Sequence, residues 1–231
     1  MRTPFFFALA LLCAQLQGGD MAVFSHEARV LFQGDSITDG NRGRTADPNH
    51  ILGHGYAFVL AARYGAAYPG RRLTFLNRGI SGNTVADLAA RWQTDTFDLK
   101  PNVLSILVGI NDFERRVPVE QFEARYDELL ASTIKALPAV KLVLGEPFIL
   151  KVGRYDNDNF DERLAELRKR QAVVANLATK YHAALARFQQ AFEEACKRAP
   201  ADYWIWDGIH PTYLGHQIMV DEWVRVVDQM K

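Results

Sequence analysis

Residues 28–40 read ARVLFQGDSITDG, a short apolar run that ends in a glycine and passes straight into polar residues. Such a run is typical of a buried strand whose carboxyl end turns into a helix. Further β-rich runs follow along the chain, each ending in polar or glycine-containing sequence. The predicted strands are Ala28–Gln33, Leu73–Asn77, Val103–Val108, Lys141–Gly145 and Ala184–Arg187.

Helices are predicted between these strands, where apolar residues recur at three- and four-residue spacing. One stripe comprises Phe122, Tyr126, Leu129, Thr133 and Leu137, a second Phe160, Leu164, Leu167, Gln171, Val174 and Tyr181, and a third Met219, Trp223, Val226, Val227 and Met230. We interpret all three stripes as faces that pack into the core. The alternation predicts an α/β fold, a three-layer α/β/α flavodoxin-like sandwich with a central parallel sheet of about five strands. In such sheets ligands bind at the carboxyl ends of the strands.

Composition fits one ordinary globular domain and excludes several classes of function. The chain has 231 residues, 48% of them hydrophobic, and its 27 basic and 27 acidic side chains give a net charge of zero. A nucleic-acid-binding protein would usually carry a basic excess, so we expect no nucleic-acid partner. The two cysteines, Cys13 and Cys196, are too few for a zinc cluster or a disulfide framework.

The N-terminus predicts export. Arg2 precedes the apolar run Phe5–Leu12, and small and polar residues follow, which is typical of a secretory signal peptide. The run is too short to span a bilayer, so we expect no stable membrane anchor. We therefore predict a signal peptide over residues 1–20, a single domain over residues 21–231, and a secreted or periplasmic location. The alternative is that translation begins at Met21 and the protein is cytoplasmic.

Ser36 follows the first predicted strand at the start of a helix. Backbone N–H groups and the helix dipole favour developing negative charge there, as an ester-cleaving serine requires. The alternative is that Ser36 simply caps the helix. The nearby glycines do not form a dinucleotide fingerprint and no phosphate-binding lysine follows, so we expect no cofactor.

The second and third strands end in possible hydrogen-bond donors. Gly82 has a backbone N–H that no side chain covers, and Asn111 offers a side-chain amide. Together with a third N–H group these donors could surround one oxygen atom. Each residue taken alone is equally compatible with an ordinary turn.

A fourth group lies near the C-terminus. Asp207 stands three residues before His210, so its carboxylate can bind the ring Nδ1 and leave Nε2 free to accept a proton from a serine. The alternative is a metal site that His210 forms with His216, Asp35 or Asp112. Because too few ligands converge for such a site, we expect no bound metal.

These four places, taken together and in this order, resemble the SGNH hydrolase family, also called GDSL esterases. The matching segments are Gly-Asp-Ser-Ile-Thr at 34–38, Gly-Ile-Ser-Gly-Asn-Thr at 79–84, Gly-Ile-Asn-Asp at 109–112 and Asp-Gly-Ile-His-Pro at 207–211. The resemblance extends over residues 29–228. It implies a catalytic triad of Ser36, Asp207 and His210. It also implies an oxyanion hole formed by the backbone N–H groups of Ser36 and Gly82 and the amide of Asn111.

Within that family, the chain is most similar to bacterial carbohydrate acetylesterases of the acetylxylan esterase type. The similar stretches include residues 34–40, 77–91 and 105–112. The resemblance implies a serine esterase that removes acetyl groups from acetylated xylan or xylo-oligosaccharides through an acyl-enzyme. The alternatives are a lysophospholipase, short-chain thioesterase or broad-specificity esterase of the same fold, and a glycan-binding module without catalysis.

Five further residues are predicted to contact the substrate: Arg42, Arg44, Tyr203, Trp204 and Trp206. Aromatic rings stack on the apolar faces of sugars, and arginines donate hydrogen bonds to hydroxyl or carboxylate groups. The alternative places Trp204 in the core and leaves both arginines in solvent. The expected partner is thus an acetylated carbohydrate, and the tryptophan in the last helix is also compatible with a homo-oligomer.

Overall fold

A computed structural model describes residues 23–230, and the predicted signal peptide lies outside these residues. The five predicted strands are confirmed, with ends that differ by at most one residue. They are β1 (Arg29–Gly34), β2 (Thr74–Asn77), β3 (Val103–Leu107), β4 (Lys141–Gly145) and β5 (Ala184–Ala186).

The strands form one parallel sheet in the order β2-β1-β3-β4-β5. Val30 pairs with Val103 and Val103 with Lys141, so the three central strands are in close register. The chain runs outward from β1 to β2 and then returns past β1 to β3. The direction of winding therefore reverses beside β1, and the carboxyl ends of β1 and β3 border the crevice in which such sheets bind ligands.

Helices connect the strands and confirm the predicted α/β class. They are α1 (Ser36–Asp39), α2 (Tyr56–Ala67), α3 (Val85–Ala90), α4 (Ile110–Glu114), α5 (Val119–Ala136), α6 (Phe160–Lys180), α7 (Phe188–Ala195), α8 (Ala201–Trp204) and α9 (Tyr213–Val227). The three predicted apolar stripes lie on α5, α6 and α9, where most of their residues are buried.

The core has two halves because successive residues of a strand point to opposite faces of the sheet. In β1, Val30 and Phe32 pack against the layer that contains α2, α7 and α9, whereas Leu31 packs against the layer of α3, α5 and α6. Trp223 of α9 is fully buried, and its indole N–H donates to Ser105 Oγ at 3.0 Å in the central strand β3. This bond fixes the terminal helix to the middle of the sheet.

Among residues 23–230, no helix combines the length and the apolar character that crossing a membrane requires. Cys196, which follows α7, is a free thiol. The other cysteine, Cys13, lies outside the described residues.

Candidate active site

The predicted reactive residues meet at the carboxyl end of the sheet. Ser36 is the first residue of α1, directly after β1, and His210 lies in the turn between α8 and α9. The Ser36 Oγ is 2.8 Å from His210 Nε2, and both residues are half-buried. This is hydrogen-bonding distance, so the hydroxyl proton can pass to the imidazole ring.

Asp207 holds the other nitrogen of that ring. Its Oδ2 is 2.8 Å from His210 Nδ1, and its Oδ1 accepts the backbone N–H groups of Ile209 at 3.0 Å and His210 at 2.8 Å. Burial acts to raise the pKa of the Asp207 carboxyl, but the hydrogen bonds from His210 and Ile209 outweigh it and hold the pKa at about 2. Asp207 is therefore an anion at neutral pH.

The charge of Asp207 decides which nitrogen of His210 carries the proton. A carboxylate only accepts hydrogen bonds, so Nδ1 of the neutral ring must be protonated. Nε2 is then left with a lone pair that faces Ser36. This arrangement allows His210 to act as a base toward the serine hydroxyl.

Asp35 shapes the turn that presents Ser36. Its Oδ1 accepts the backbone N–H of Ile37 at 3.1 Å, which caps the N-terminus of α1, while its Oδ2 has no hydrogen-bond partner within the protein. The carboxyl is buried, and burial raises its pKa to about 7. None of the hydrogen bonds of Asp35 reaches Ser36 Oγ or His210. Asp35 therefore stabilises the turn through its bond to Ile37.

The loop after β2 brings Gly82 to the same edge of the sheet. The backbone N–H of Ile80 donates to the Gly34 carbonyl at 3.1 Å, which holds this loop beside the end of β1. Gly82 has a φ of 83°, a conformation that glycine adopts without strain. Arg115 Nη2 donates to the Gly82 carbonyl at 2.8 Å and fixes the peptide from the other side.

Asn111 lies in the first turn of α4, after β3. Its Nδ2 donates to the Asn83 carbonyl at 3.1 Å, and Asn83 Oδ1 in turn accepts from Arg91 Nε at 2.9 Å. One amide proton of Asn111 is thus used to orient the group, and the second is free to bind an oxygen. The loops after β1, β2 and β3 therefore each supply one of the predicted donors.

The sequence profile of the GDSL-like lipase/acylhydrolase family matches residues 32–218, a range that contains all of these residues. The chain belongs to this family. It is accordingly a carboxylic ester hydrolase, which confirms the class of activity that the four motifs predicted.

Relatives of known structure extend the comparison. An acetylxylan esterase from Geobacillus stearothermophilus is 32% identical over 212 residues, which is 86% of this chain and 93% of the relative. A crystal structure of Axe2, an acetylxylan esterase from the same species, superposes with a TM-score of 0.76 at 31% identity, covering 88% of this chain and 95% of that chain. A crystal structure from Parabacteroides merdae gives a TM-score of 0.84 at 33% identity, covering 90% and 98% of the two chains.

The three aromatic residues predicted to contact substrate in this GDSL-like acylhydrolase differ in exposure: two lie at the surface and one is buried. Trp206 is 65% exposed and stacks on the His210 ring, with 6.3 Å between ring centroids and 26° between planes. Tyr203 is 48% exposed. Trp204 instead lies in the core and donates its indole N–H to the Ala199 carbonyl at 3.2 Å, so we do not retain it as a surface contact. Tyr213, which starts α9 and is 81% exposed, is a further exposed aromatic residue that is absent from the predicted contacts.

Arg42 and Arg44 both make contacts within the protein. Arg44 binds Asp39 through Nη1 at 3.0 Å and Nη2 at 2.8 Å, and Asp39 Oδ2 also accepts the backbone N–H of Ser81 at 3.0 Å. Arg42 Nε donates to the Gly79 carbonyl at 3.0 Å. Asp39 is buried, so these bonds tie α1 to the loop that carries Gly82.

The alternative metal site does not form among residues 23–230, where no group of three or more His, Cys, Asp or Glu side chains could hold a metal ion. His216 is buried in α9, and its Nδ1 accepts the backbone N–H of Tyr56 at 3.2 Å. Burial, together with nearby His54 and His210, lowers the pKa of His216 to about 4. Asp112 is engaged separately by the backbone N–H of Val85 at 3.2 Å.

Proposed function

We propose that this protein is a serine esterase that removes acetyl groups from acetylated xylan or xylo-oligosaccharides. The observation that carries the proposal is the hydrogen-bonded sequence Ser36–His210–Asp207, placed beside Gly82 and Asn111. It supplies a nucleophile, a base, an acid that orients the base, and donors for an oxyanion. The similarity to an acetylxylan esterase over 86% of the chain supports this choice of substrate.

The first half of the reaction forms an acetyl-enzyme. Ser36 Oγ attacks the carbonyl carbon of the acetyl ester while its proton passes to His210 Nε2. The negative charge on the carbonyl oxygen is stabilised by the backbone N–H groups of Ser36 and Gly82 and by the second amide proton of Asn111. The tetrahedral intermediate then collapses, and His210 returns its proton to the departing sugar oxygen.

The second half releases acetate. A water molecule gives one proton to His210 Nε2 and attacks the acetyl carbonyl, and the same donors stabilise the second oxyanion. When this intermediate collapses, the proton passes from His210 to Ser36 Oγ, and acetic acid leaves and ionises to acetate in solvent. Ser36 and His210 are thereby restored to their starting protonation states.

Asp207 assists both halves by holding the ring and stabilising the imidazolium that forms each time. Its low pKa keeps it ionised throughout the cycle. The Geobacillus stearothermophilus esterase supports these roles, because its variants with one serine or one aspartate replaced by alanine are described as catalytic mutants.

The sugar side of the site is assigned to exposed aromatic rings. Trp206 presents a largely exposed ring beside His210, and Tyr203 is half-exposed nearby in the chain. A sugar stacked on Trp206 would bring its ester close to Ser36. Export by the predicted signal peptide would take the enzyme to polymeric xylan outside the cytoplasm.

The test uses the full chain and compares the wild type with Ser36→Ala and with Ser132→Ala. Ser132 is a matched control because it lies on α5, where its Oγ donates to the Leu129 carbonyl at 2.8 Å. Acetate release is measured on acetylated xylan, acetylated xylo-oligosaccharides and an aryl acetate, and fatty-acid release on a lysophospholipid.

We expect the wild type and Ser132→Ala to release acetate from the acetylated oligosaccharides, and Ser36→Ala to lose at least about 10⁴-fold in turnover. Cleavage of the aryl acetate without any deacetylation of xylan fragments would reject the carbohydrate substrate and retain the esterase. Faster release from lysophospholipid would favour the lysophospholipase alternative. Equal activity of Ser36→Ala and the wild type would reject Ser36 as nucleophile.

A further inference from the structure

We propose that Arg154 is a positioning residue of the Ser36–His210–Asp207 triad, which it acts on through Asp207. The inference rests on the proposed function and adds a residue that none of the sequence motifs contains. Arg154 Nη2 is 2.6 Å from Asp207 Oδ2, the same oxygen that accepts His210 Nδ1 at 2.8 Å. The oxygen thus receives one bond from the base and one from a permanent cation.

The backbone holds Arg154 in this place. Its N–H donates to the Asp207 carbonyl at 3.2 Å, and the N–H of Leu150 donates to the Gly208 carbonyl at 3.0 Å. Gly153 packs so closely on this turn that a Cβ there would lie 2.6 Å from the Asp207 Cα, and a Cβ at Gly208 would lie 2.5 Å from the Tyr155 ring. The segment after β4 therefore packs tightly against the turn of Asp207. This packing places the Arg154 guanidinium group next to the Asp207 carboxylate.

Three of the four hydrogen bonds on Asp207 come from its own turn, one of them from His210 Nδ1, and the fourth comes from Arg154. Two backbone N–H groups bind Oδ1, and both belong to the same turn as Asp207. The bond from Arg154 comes from a different segment and reaches Oδ2 from outside the turn. It fixes the rotation of the carboxylate and thus the direction in which Oδ2 faces the imidazole ring.

Arg154 also changes the charge that His210 experiences. The charged or titratable groups around the ring are Asp207 in its own turn, Arg154 from the loop after β4, and His216 of α9, which interacts with it electrostatically. A cation bonded to Asp207 offsets part of the negative charge that the carboxylate presents to the ring. The Arg154 side chain is 50% exposed, so solvent screening makes this a modest effect.

The test compares Arg154→Ala and Arg154→Lys with the wild type of the full chain. Arg168→Ala is the control, because Arg168 is 61% exposed and lies 3.8 Å from Glu193, away from the triad. Steady-state hydrolysis of an aryl acetate is measured across the pH range in which histidine titrates. Because an aryl acetate contains no sugar, its hydrolysis measures ester cleavage independently of sugar binding.

For Arg154→Ala we expect kcat to fall about three- to tenfold with KM unchanged, and the midpoint of the acidic limb to rise by about half a pH unit. Arg154→Lys should keep the wild-type midpoint and recover part of kcat, since it restores the charge without the planar guanidinium. Millimolar guanidinium ion should partly restore kcat in Arg154→Ala. Arg168→Ala should match the wild type in both quantities.

A lower kcat with no change in the midpoint would show that Arg154 only supports the loop, and would overturn the proposal. Wild-type kinetics in Arg154→Ala would overturn it as well, while leaving the esterase function intact. A wild type inactive on every ester would overturn both. An NMR titration of the His210 ring gives a readout that needs no turnover, and equal midpoints in the wild type and Arg154→Ala would also reject the inference.

Discussion

Ser36 Oγ and His210 Nε2 lie 2.8 Å apart although 174 positions separate the two residues in the chain. The distance is set by the sheet and the terminal helix. Ser36 follows β1, and α9, which begins just after His210, is fixed to the neighbouring central strand β3 by the bond from Trp223 to Ser105. Loosening of α9 would therefore separate Ser36 from His210, the proposed nucleophile and base.

The dependence of activity on pH follows from the charge states in the triad. The pKa of Asp207 is held at about 2, so Asp207 remains ionised in mildly acidic solution. His210 must be neutral to accept the Ser36 proton, so we expect kcat/KM to fall as the pH drops below neutrality, with a slope of one on a logarithmic plot. The measurement is kcat/KM for an aryl acetate against pH. A flat profile through the range in which histidine titrates would contradict His210 as the base.

Replacing Asn111 by alanine removes one of the proposed oxyanion donors. We expect kcat to fall by about 10²- to 10³-fold with little change in KM, because the donor is needed most when charge develops on the ester oxygen. Asn176→Ala is the matched control, since Asn176 is exposed on α6. A rise in KM at constant kcat would instead indicate that Asn111 binds the ground-state substrate.

Arg44→Ala distinguishes a contact with sugar from a contact within the protein. Arg44 is bonded to Asp39, which also holds Ser81 next to Gly82. We expect kcat to fall about three- to tenfold on both an aryl acetate and an acetylated xylo-oligosaccharide, because the loop of Gly82 loses a restraint. Arg63→Ala, which removes a 3.9 Å pair with Asp221 on the surface, is the control. An increase in KM confined to the oligosaccharide would support the original prediction of a substrate contact.

Trp206→Ala tests the proposed sugar platform. We expect KM for an acetylated xylo-oligosaccharide to rise about three- to tenfold, while kcat/KM for an aryl acetate changes by less than about twofold. Phe58→Ala serves as the control, because Phe58 is an aromatic side chain of α2 that is 45% exposed. A comparable loss on both substrates would mean that Trp206 acts on His210 and not on the sugar.

Asp35→Asn tests the energetic cost of a buried carboxyl. Burial raises the pKa of Asp35 in the folded protein from the ordinary range of an aspartate to about 7, so the folded state holds the proton more tightly than the unfolded chain does. The stability contributed by the protonated form is fully present below about pH 4 and is lost as the pH rises toward 7. Asparagine keeps an oxygen that can accept the Ile37 N–H and cannot ionise.

We therefore expect the free energy of unfolding of Asp35→Asn, relative to the wild type, to increase by about 2–3 kcal/mol between about pH 5 and pH 8. Urea unfolding at the two pH values measures this difference. Asp158→Asn, at an exposed position after β4, should show no such trend. A constant difference between Asp35→Asn and the wild type would indicate that the carboxyl is already ionised in the folded protein.

The strands and the four turns could be predicted from the sequence because their signals are local. An apolar run followed by glycine and a polar residue marks the end of a strand, as at Gly34 before Ser36 and at Gly109 before Asn111. The parallel α/β fold then places these ends at one edge of the sheet. The position of Ser36 and Asn111 at the same edge of the sheet is in this sense predictable.

Other features depend on contacts between segments that no spacing rule connects. The ion pair between Arg154 and Asp207 joins residues 53 positions apart, and nothing near Arg154 in the sequence sets it apart from the other arginines. Trp204 and Trp206 are two positions apart, yet one is buried and the other is 65% exposed. Only the packing of α8 and the following turn decides between them, since tryptophan suits both environments.

The bond from Asn111 Nδ2 to the Asn83 carbonyl has a consequence for how the enzyme meets its substrates. The amide is oriented by the protein's own backbone, and Asn83 is held in turn by Arg91. The amide of Asn111 is therefore in place before an ester binds. We expect it to stabilise the carbonyl oxygen of a small ester as well as that of a sugar ester. On the proposed function, a longer saccharide would add contacts away from the carbonyl, so we expect esters of different sugars to differ more in KM than in kcat.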